Sequence, residues 1–381
     1  MSEYQYYEFL ALDRPLTYGE QELLRGISSR AQITATSFSN HYEYGDLKAS
    51  PLEMVKKWFD VHVYTGFWMT RILMIRLPRH LFDMEAAEPY LSEWTFEIEE
   101  AGDNVVLVFQ ADELELDMDD DGSGWMGTLA PLRAALMEGD NRCLYIAWLR
   151  EVQNEAVEDE DLEPPRPPGL YRLDGPLRAF ADFLDIDPDL LHAATSLDDG
   201  SEPDPMTPEA LENFIDTLPS SEKTALLVRV IQGEASLVSG ELRRRFRSAL
   251  PASPATASSA QRSVADLRRE AEVRAAERNR LKAERDARER ERQEREAAEA
   301  RTRRLDALSR HGDSAWREVE QLIEERNAPG YDRAVTLLQD LGALAEKNGT
   351  SAAFGKRIAE LRSRHARKGS LIKRFDEAGL K

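Results

Sequence analysis

Asp117, Asp119 and Asp121, followed by Gly122, have the spacing of the first half of a calcium loop. Carboxylates at positions 1, 3 and 5 of such a loop supply hard oxygen ligands, and glycine at position 6 allows the sharp turn. The second half does not follow. Position 12 is Thr128 rather than a bidentate glutamate, and Gly124 stands where an apolar residue normally ties the loop to its partner. The flanks read as strand, so the simpler expectation is a solvated acidic loop after a hairpin. Calcium is the one metal this incomplete pattern admits, and no other cofactor is implied.

Other reactive side chains are scattered. The six histidines, His41, His62, His80, His192, His311 and His365, include no two at metal-ligand spacing. Asp60 and His62 alternate along one strand face, as an acid–base pair would, although alternation alone places many residues this way. Cys143 is the single cysteine and lies in the apolar run Cys143–Trp148. It is expected to pack as a buried, inert thiol, and a disulfide framework is excluded. The phosphate-cradling motifs GxGxxG and GxxxxGK[ST] are absent, as is the nucleophile elbow GxSxG. Arg71, Arg76, Arg79 and His80 form a basic run in an acidic region. Pairing with neighbouring carboxylates is expected there before anion binding.

The elements that would position these residues read as α+β. An aromatic strand at 4–12 precedes a helix capped by Thr17 with Glu20 as capping-box partner. A strand over 32–37, a helix opened by Pro51, and strands over 60–64 and 67–77 follow, with helices expected on one face. Residues 94–99 and 104–110 read as a hairpin, 129–138 as helix, and 142–150 as an apolar element of either type. Acidic and proline-rich residues 151–168 read as a linker. The expected organisation is an N-terminal mixed α/β sheet domain over 1–160 and a helical domain over 170–250. A hinge at 251–260 leads to a long single charged helix over 261–310 and a small helical module over 313–381.

Charge divides these parts. Residues 261–381 hold 29 Lys+Arg against 23 Asp+Glu, a balance of +6; subtraction from the totals of 50 and 71 leaves −27 for residues 1–260. A head this acidic repels nucleic acid and anionic membranes. The tail carries a basic cluster of Arg362, Arg364, His365, Arg367, Lys368, Lys373 and Arg374, without the interleaved aromatics of a nucleic-acid surface. In the long helix, no Leu, Ile, Val or Met lies between Lys282 and Arg304, so a coiled-coil seam has nothing to fill it. Acid-first pairs such as Glu284–Arg288 and Glu299–Arg303 predict a solvated single helix instead. The start lacks a secretory signal pattern, and the most apolar stretch, 66–77, is too short to span a bilayer, so a cytoplasmic location is expected.

Residues 2–9, Ser-Glu-Tyr-Gln-Tyr-Tyr-Glu-Phe, with Asp13-Arg14-Pro15-Leu16, resemble a family of bacterial proteins of unassigned function. Tyr331-Asp332-Arg333-Ala334, the 337–341 Leu-Leu-Gln-Asp-Leu run and Arg364-His365-Ala366-Arg367-Lys368 resemble the C-terminal helices of bacterial SWIM zinc-finger proteins. The resemblance implies a shared helical interaction module. It implies no zinc binding, because the Cys and His residues of the zinc motif are missing, and it carries over no catalytic residue. Two functions fit: a non-catalytic adaptor with protein partners, or an accessory subunit of a nucleic-acid-handling complex that touches phosphate through 262–374. A hydrolase or nuclease using Asp60, His62 or the Asp117 cluster is the weaker third. For the incomplete loop, millimolar calcium is expected to leave the melting temperature of the wild type equal to that of an Asp117→Ala/Asp119→Ala variant. A calcium-dependent rise in the wild type alone would establish binding to the folded state.

Overall fold

In a computed structural model, the described residues are 4–66, 69–114, 122–196, 206–249, 262–311 and 313–380. Two compact units divide the chain, Met1–Glu277 and Arg278–Lys381. The first is built on seven strands: β1 (Gln5–Leu10), β2 (Gln32–Ile33), β3 (Ser37–Tyr42), β4 (Val61–Gly66), β5 (Thr70–Pro78), β6 (Phe96–Ala101) and β7 (Asn104–Ala111). Their order is β2-β3-β1-β4-β5-β7-β6, and every pairing is antiparallel. The α+β class holds, and the sheet is antiparallel throughout the described strands.

One strand is displaced from its expected place. The long partner of β1 is Ser37–Tyr42 rather than 32–37, which sets Phe38 opposite Phe9. Thr34 explains the shift: its amide donates to the Ser37 carbonyl, and its hydroxyl accepts from the Thr36 amide. A β-branched residue that reads as strand is held in a turn by its own side chain.

Helices cover both faces of the sheet, not one. On one face lie α1 (Tyr18–Ile27) and α2 (Pro51–Lys57). Thr17 and Glu20 form the expected capping box of α1, and Pro51 sits in the first turn of α2. Leu24, Met54, Val55 and Phe59 pack there against Tyr7, Phe9, Phe38, Met74 and Val106. After the short α3 (Met84–Ala87), the other face is covered by α4 (Trp125–Leu129), α5 (Leu132–Met137), α6 (Arg142–Gln153), α7 (Gly175–Phe183) and α8 (Pro188–Thr195). The apolar run at 142–150 is thus helical, and Cys143 to Leu149 are all buried in it.

The expected boundary near 160–170 is not a break in the core. Leu177, Phe180, Phe183 and Leu190 share one apolar cluster with strand residues Val61, Leu73, Leu107 and Phe109. Phe180 meets the Phe109 ring edge-on at 5.1 Å between centroids. Helices α9 (Pro208–Thr217), α10 (Ser220–Ile231) and α11 (Ala235–Ala249) form a smaller satellite around Leu218, Leu226 and Val238. Residues 251–260, read as a hinge, lie outside the described residues.

Helix α12 (Val264–His311) is 48 residues long. Its first turns belong to the first unit, where Val264 and Leu267 are fully buried. The second unit adds α13 (Asp313–Glu324), α14 (Ala328–Lys347), α15 (Ser351–Arg364) and α16 (Gly369–Glu377). Val319, Ile323, Ala334, Leu338, Leu341, Ile358 and Leu361 form its core, as their periodicity predicts, joined by Leu371 and Phe375 of α16. Because α7 shares a core with the sheet, Phe180→Ala in the full chain is expected to cost about 3–5 kcal/mol. The β and α circular-dichroism signals of the first unit should then melt together at a lower temperature. Loss of helical signal with an unmoved sheet transition would mean separate domains.

Candidate functional site

Among the described residues the most deeply buried carboxylate is Asp60, at the entry to β4 and 1% exposed. Its carboxylate accepts the amides of Leu12 at 2.6 Å and Asp13 at 2.9 Å, and Arg76 Nη2 at 2.7 Å. Arg133 of α5 lies at 3.7 Å and reaches Asp13 at 2.7 Å. Burial pushes the Asp60 carboxyl up, but Arg133, Arg76 and the Asp13 amide outweigh it, and the group sits below its ordinary range. Every lone pair is committed to joining the β1–α1 corner, β5 and α5.

His62, two residues on, is not its acid–base partner. The ring stacks on Phe9 at 4.0 Å, and Nδ1 lies 2.9 Å from the Glu8 carbonyl. A carbonyl only accepts, so Nδ1 carries the proton; Nε2 is buried without a hydrogen-bond partner. Desolvation therefore holds the imidazole neutral, although the Glu8 bond opposes it. Cys143 is buried as expected, and burial pushes its thiol far above the ordinary value.

The basic run on β5 is not a patch. Arg71 and Arg76 are five apart and lie on opposite faces of the sheet. Arg71 donates to the carbonyls of Asp182 and Phe183 and covers the Trp125 ring at 5.0 Å, while Arg79 pairs with Glu100 at 2.9 Å. Most of the tail cluster is likewise engaged: Arg362 pairs with Asp376, Arg364 with Glu320, Lys373 with Glu377 and Arg374 with Asp332. Lys368 donates to the Ile323 carbonyl.

Asp117, Asp119 and Asp121 lie outside the described residues. Thr128, at position 12 of the incomplete loop, is in helix α4, where its hydroxyl donates to the Trp125 carbonyl at 2.9 Å. The segment after the loop is therefore helix, contrary to the strand expected. Among the described residues no group of three or more His, Cys, Asp or Glu side chains is placed to hold a metal ion.

A second polar constellation was not legible in the sequence. Glu163, in the stretch read as a linker, is 4% exposed. It accepts from Tyr145 of α6 and from Arg262 through Nε at 2.8 Å and Nη2 at 3.1 Å. Arg262 also reaches the Ala193 carbonyl at 3.2 Å and Glu270 at 3.0 Å. Backbone bonds continue the junction: Glu163 N donates to Arg262 O, Val264 N to Asp161 O and Ala265 N to Asp159 O. Ser263 then caps α12, its hydroxyl accepting from the Asp266 amide. Arg268 adds bonds to the Val152 and Val157 carbonyls. The proline-rich stretch is thus the dock for the first turn of the long helix. Glu163 and Arg262 stand 99 residues apart, so no local pattern announces the pair.

No family model, no curated protein and no solved structure matches this chain. Among the described residues no helix is long and apolar enough to cross a membrane.

The buried imidazole gives a signed pH dependence. Its pKa is lowered from 6.5 to about 3, so the unfolded chain takes up a proton over that window while the fold refuses it. Stability should fall as pH is lowered through the window, by up to about 1.4 kcal/mol per unit from this group. Above pH 7 the group contributes no slope. Denaturant titrations at a series of pH values should show a flatter profile for His62→Phe; identical slopes would mean that His62 protonates freely in the fold.

Proposed function

We propose that the chain is a non-catalytic adaptor that binds separate protein partners through its acidic head and its helical tail. The observation that carries this reading is the middle of α12: every residue from Ala276 to Arg304 is exposed. A helix that buries nothing over this length joins elements without contributing to a core. Charge supports it in place of packing, with Glu299–Arg303 closed at 3.2 Å and Arg292 beside Glu289 at 2.8 Å and Glu296 at 3.9 Å. Each such pair contributes about 0.2–0.5 kcal/mol. The buried Asp60, His62 and Glu163 described above are occupied in holding elements together, which also favours a binding role. The likeness of the tail to the helices of SWIM proteins is consistent with an interaction module.

The alternative, an accessory subunit contacting nucleic-acid phosphate through 262–374, would draw on cations of which Arg362, Arg364 and Arg374 already have acidic partners within the tail. Salt-dependent retention on DNA or RNA separates the two, because phosphate contacts give a steep salt slope.

For the adaptor, cross-linking capture with the full chain should retrieve partners that are lost when 313–381 is removed, and others that persist. A peptide of residues 261–310 should be strongly helical at all concentrations, because Ala, Arg, Glu and Lys have high helix propensity. Its melting should be broad, as expected of a helix without a core. A dimer mass with concentration-dependent helicity would make the segment a coiled coil, and a disordered peptide would make it a flexible linker.

A further inference from the structure

Strand β6 forms one edge of the sheet, and the register of its ladder fixes which backbone groups turn away from β7. Gln110 N donates to Thr95 O at 2.9 Å. Residues 95, 97 and 99 therefore bond to β7, while Phe96, Ile98 and Glu100 direct their amides and carbonyls outward. Ser92 satisfies the outward groups of Phe96. Its hydroxyl accepts from the Phe96 amide at 2.8 Å, and its amide donates to the Phe96 carbonyl at 3.1 Å. The amides and carbonyls of Ile98 and Glu100 have no hydrogen-bond partner among the described residues. Ile98 is half-buried and Glu100 exposed, so this part of the edge is open. The opposite edge, β2, is only two residues long and offers no comparable ladder.

Charge decides what this edge accepts. Residues 93–103 hold five acidic side chains and no basic one. Glu99 and Glu100 are paired with Lys56 and Arg79. Glu93, Glu97 and Asp103 are exposed and have no ion-pair partner among the described residues. Pairing with β6 of a second copy would set acid beside acid and is disfavoured. A basic strand meets the uncompensated charge instead. Trp94, 66% exposed just before the strand, adds an indole face of the kind that holds lysine or arginine.

We propose that the outer edge of β6 binds an extended, lysine- or arginine-rich segment of a partner protein as an added strand. Main-chain bonds to Ile98 and Glu100 set its register, while Glu93, Glu97 and Trp94 select basic side chains. The proposal names the head's side of the adaptor reading and rests on it. Only two edge residues are open, so the added strand is short and its binding weak and salt-sensitive.

Fluorescence anisotropy of a short labelled peptide alternating lysine and valine, titrated with the full chain, tests it. Saturable binding is expected that weakens as salt is raised, with none for the glutamate–valine counterpart. The lysine peptide with its backbone amides N-methylated keeps its charge but cannot pair with a strand edge. It should bind about tenfold more weakly or worse, having lost its main-chain bonds. Glu93→Lys/Glu97→Lys should weaken the unmethylated peptide by about tenfold or more. Its melting curve should match the wild type, since both side chains are exposed. Equal binding of the methylated peptide would show mere attraction to an acidic head and overturn the proposal. So would a wild type that does not bind at low salt, or a double variant that binds as the wild type does. Cross-linking that retrieves head partners equally from wild type and double variant would sink this edge and leave the adaptor reading standing.

Discussion

A seven-stranded sheet with apolar side chains on both faces must be covered twice. Val61, Val63, Leu73, Ile75 and Leu107 point to one side, while Phe9, Phe38, Met74 and Val106 point to the other. At about 25 cal/mol per Å² of apolar surface, neither face is stable against water. The two helices available between the early strands cover the smaller cluster. The larger one draws in everything from α4 to α8 and the first turn of α12. This need for a second cover explains why residues 170–195 share a core with strands more than sixty residues earlier. It also explains why the stretch at 151–168 is pinned rather than free.

Charge is used differently in the interior and along the long helix. Inside, the carboxylates of Asp60 and Glu163 are surrounded by partners, because an uncompensated buried charge is expensive. Asp60 holds two amides and two arginines, and Glu163 holds a tyrosine and Arg262. These networks set the positions of α5 and of the start of α12. On the exposed length of α12, ion pairs work at the scale of tenths of a kcal/mol and support helicity without specifying a neighbour.

Three features were readable in the residues themselves because they are local. The capping box of Thr17 and Glu20, the absence of apolar residues from Lys282 to Arg304, and the 3.6-residue stripes of the tail each follow from spacing within one or two turns. The α+β class, the hairpin near 94–110 and the long charged helix followed from such patterns. Burial of Cys143 followed from its apolar neighbours.

What the tertiary structure alone decided involves partners distant in sequence or side chains that override propensity. Thr34 reads as strand until its hydroxyl bonds at a turn are known. The prolines at 164–168 read as a linker, yet a strand-like bridge from Leu162 to Ser263 runs beside them. Asp60 and His62 looked like an acid–base pair by alternation, and only three dimensions show one bound by arginines and the other stacked on Phe9. Alternation and periodicity tell which way a side chain points. Which group it meets depends on contacts across 99 residues, as between Glu163 and Arg262, and those contacts form only when the sheet demands its second cover.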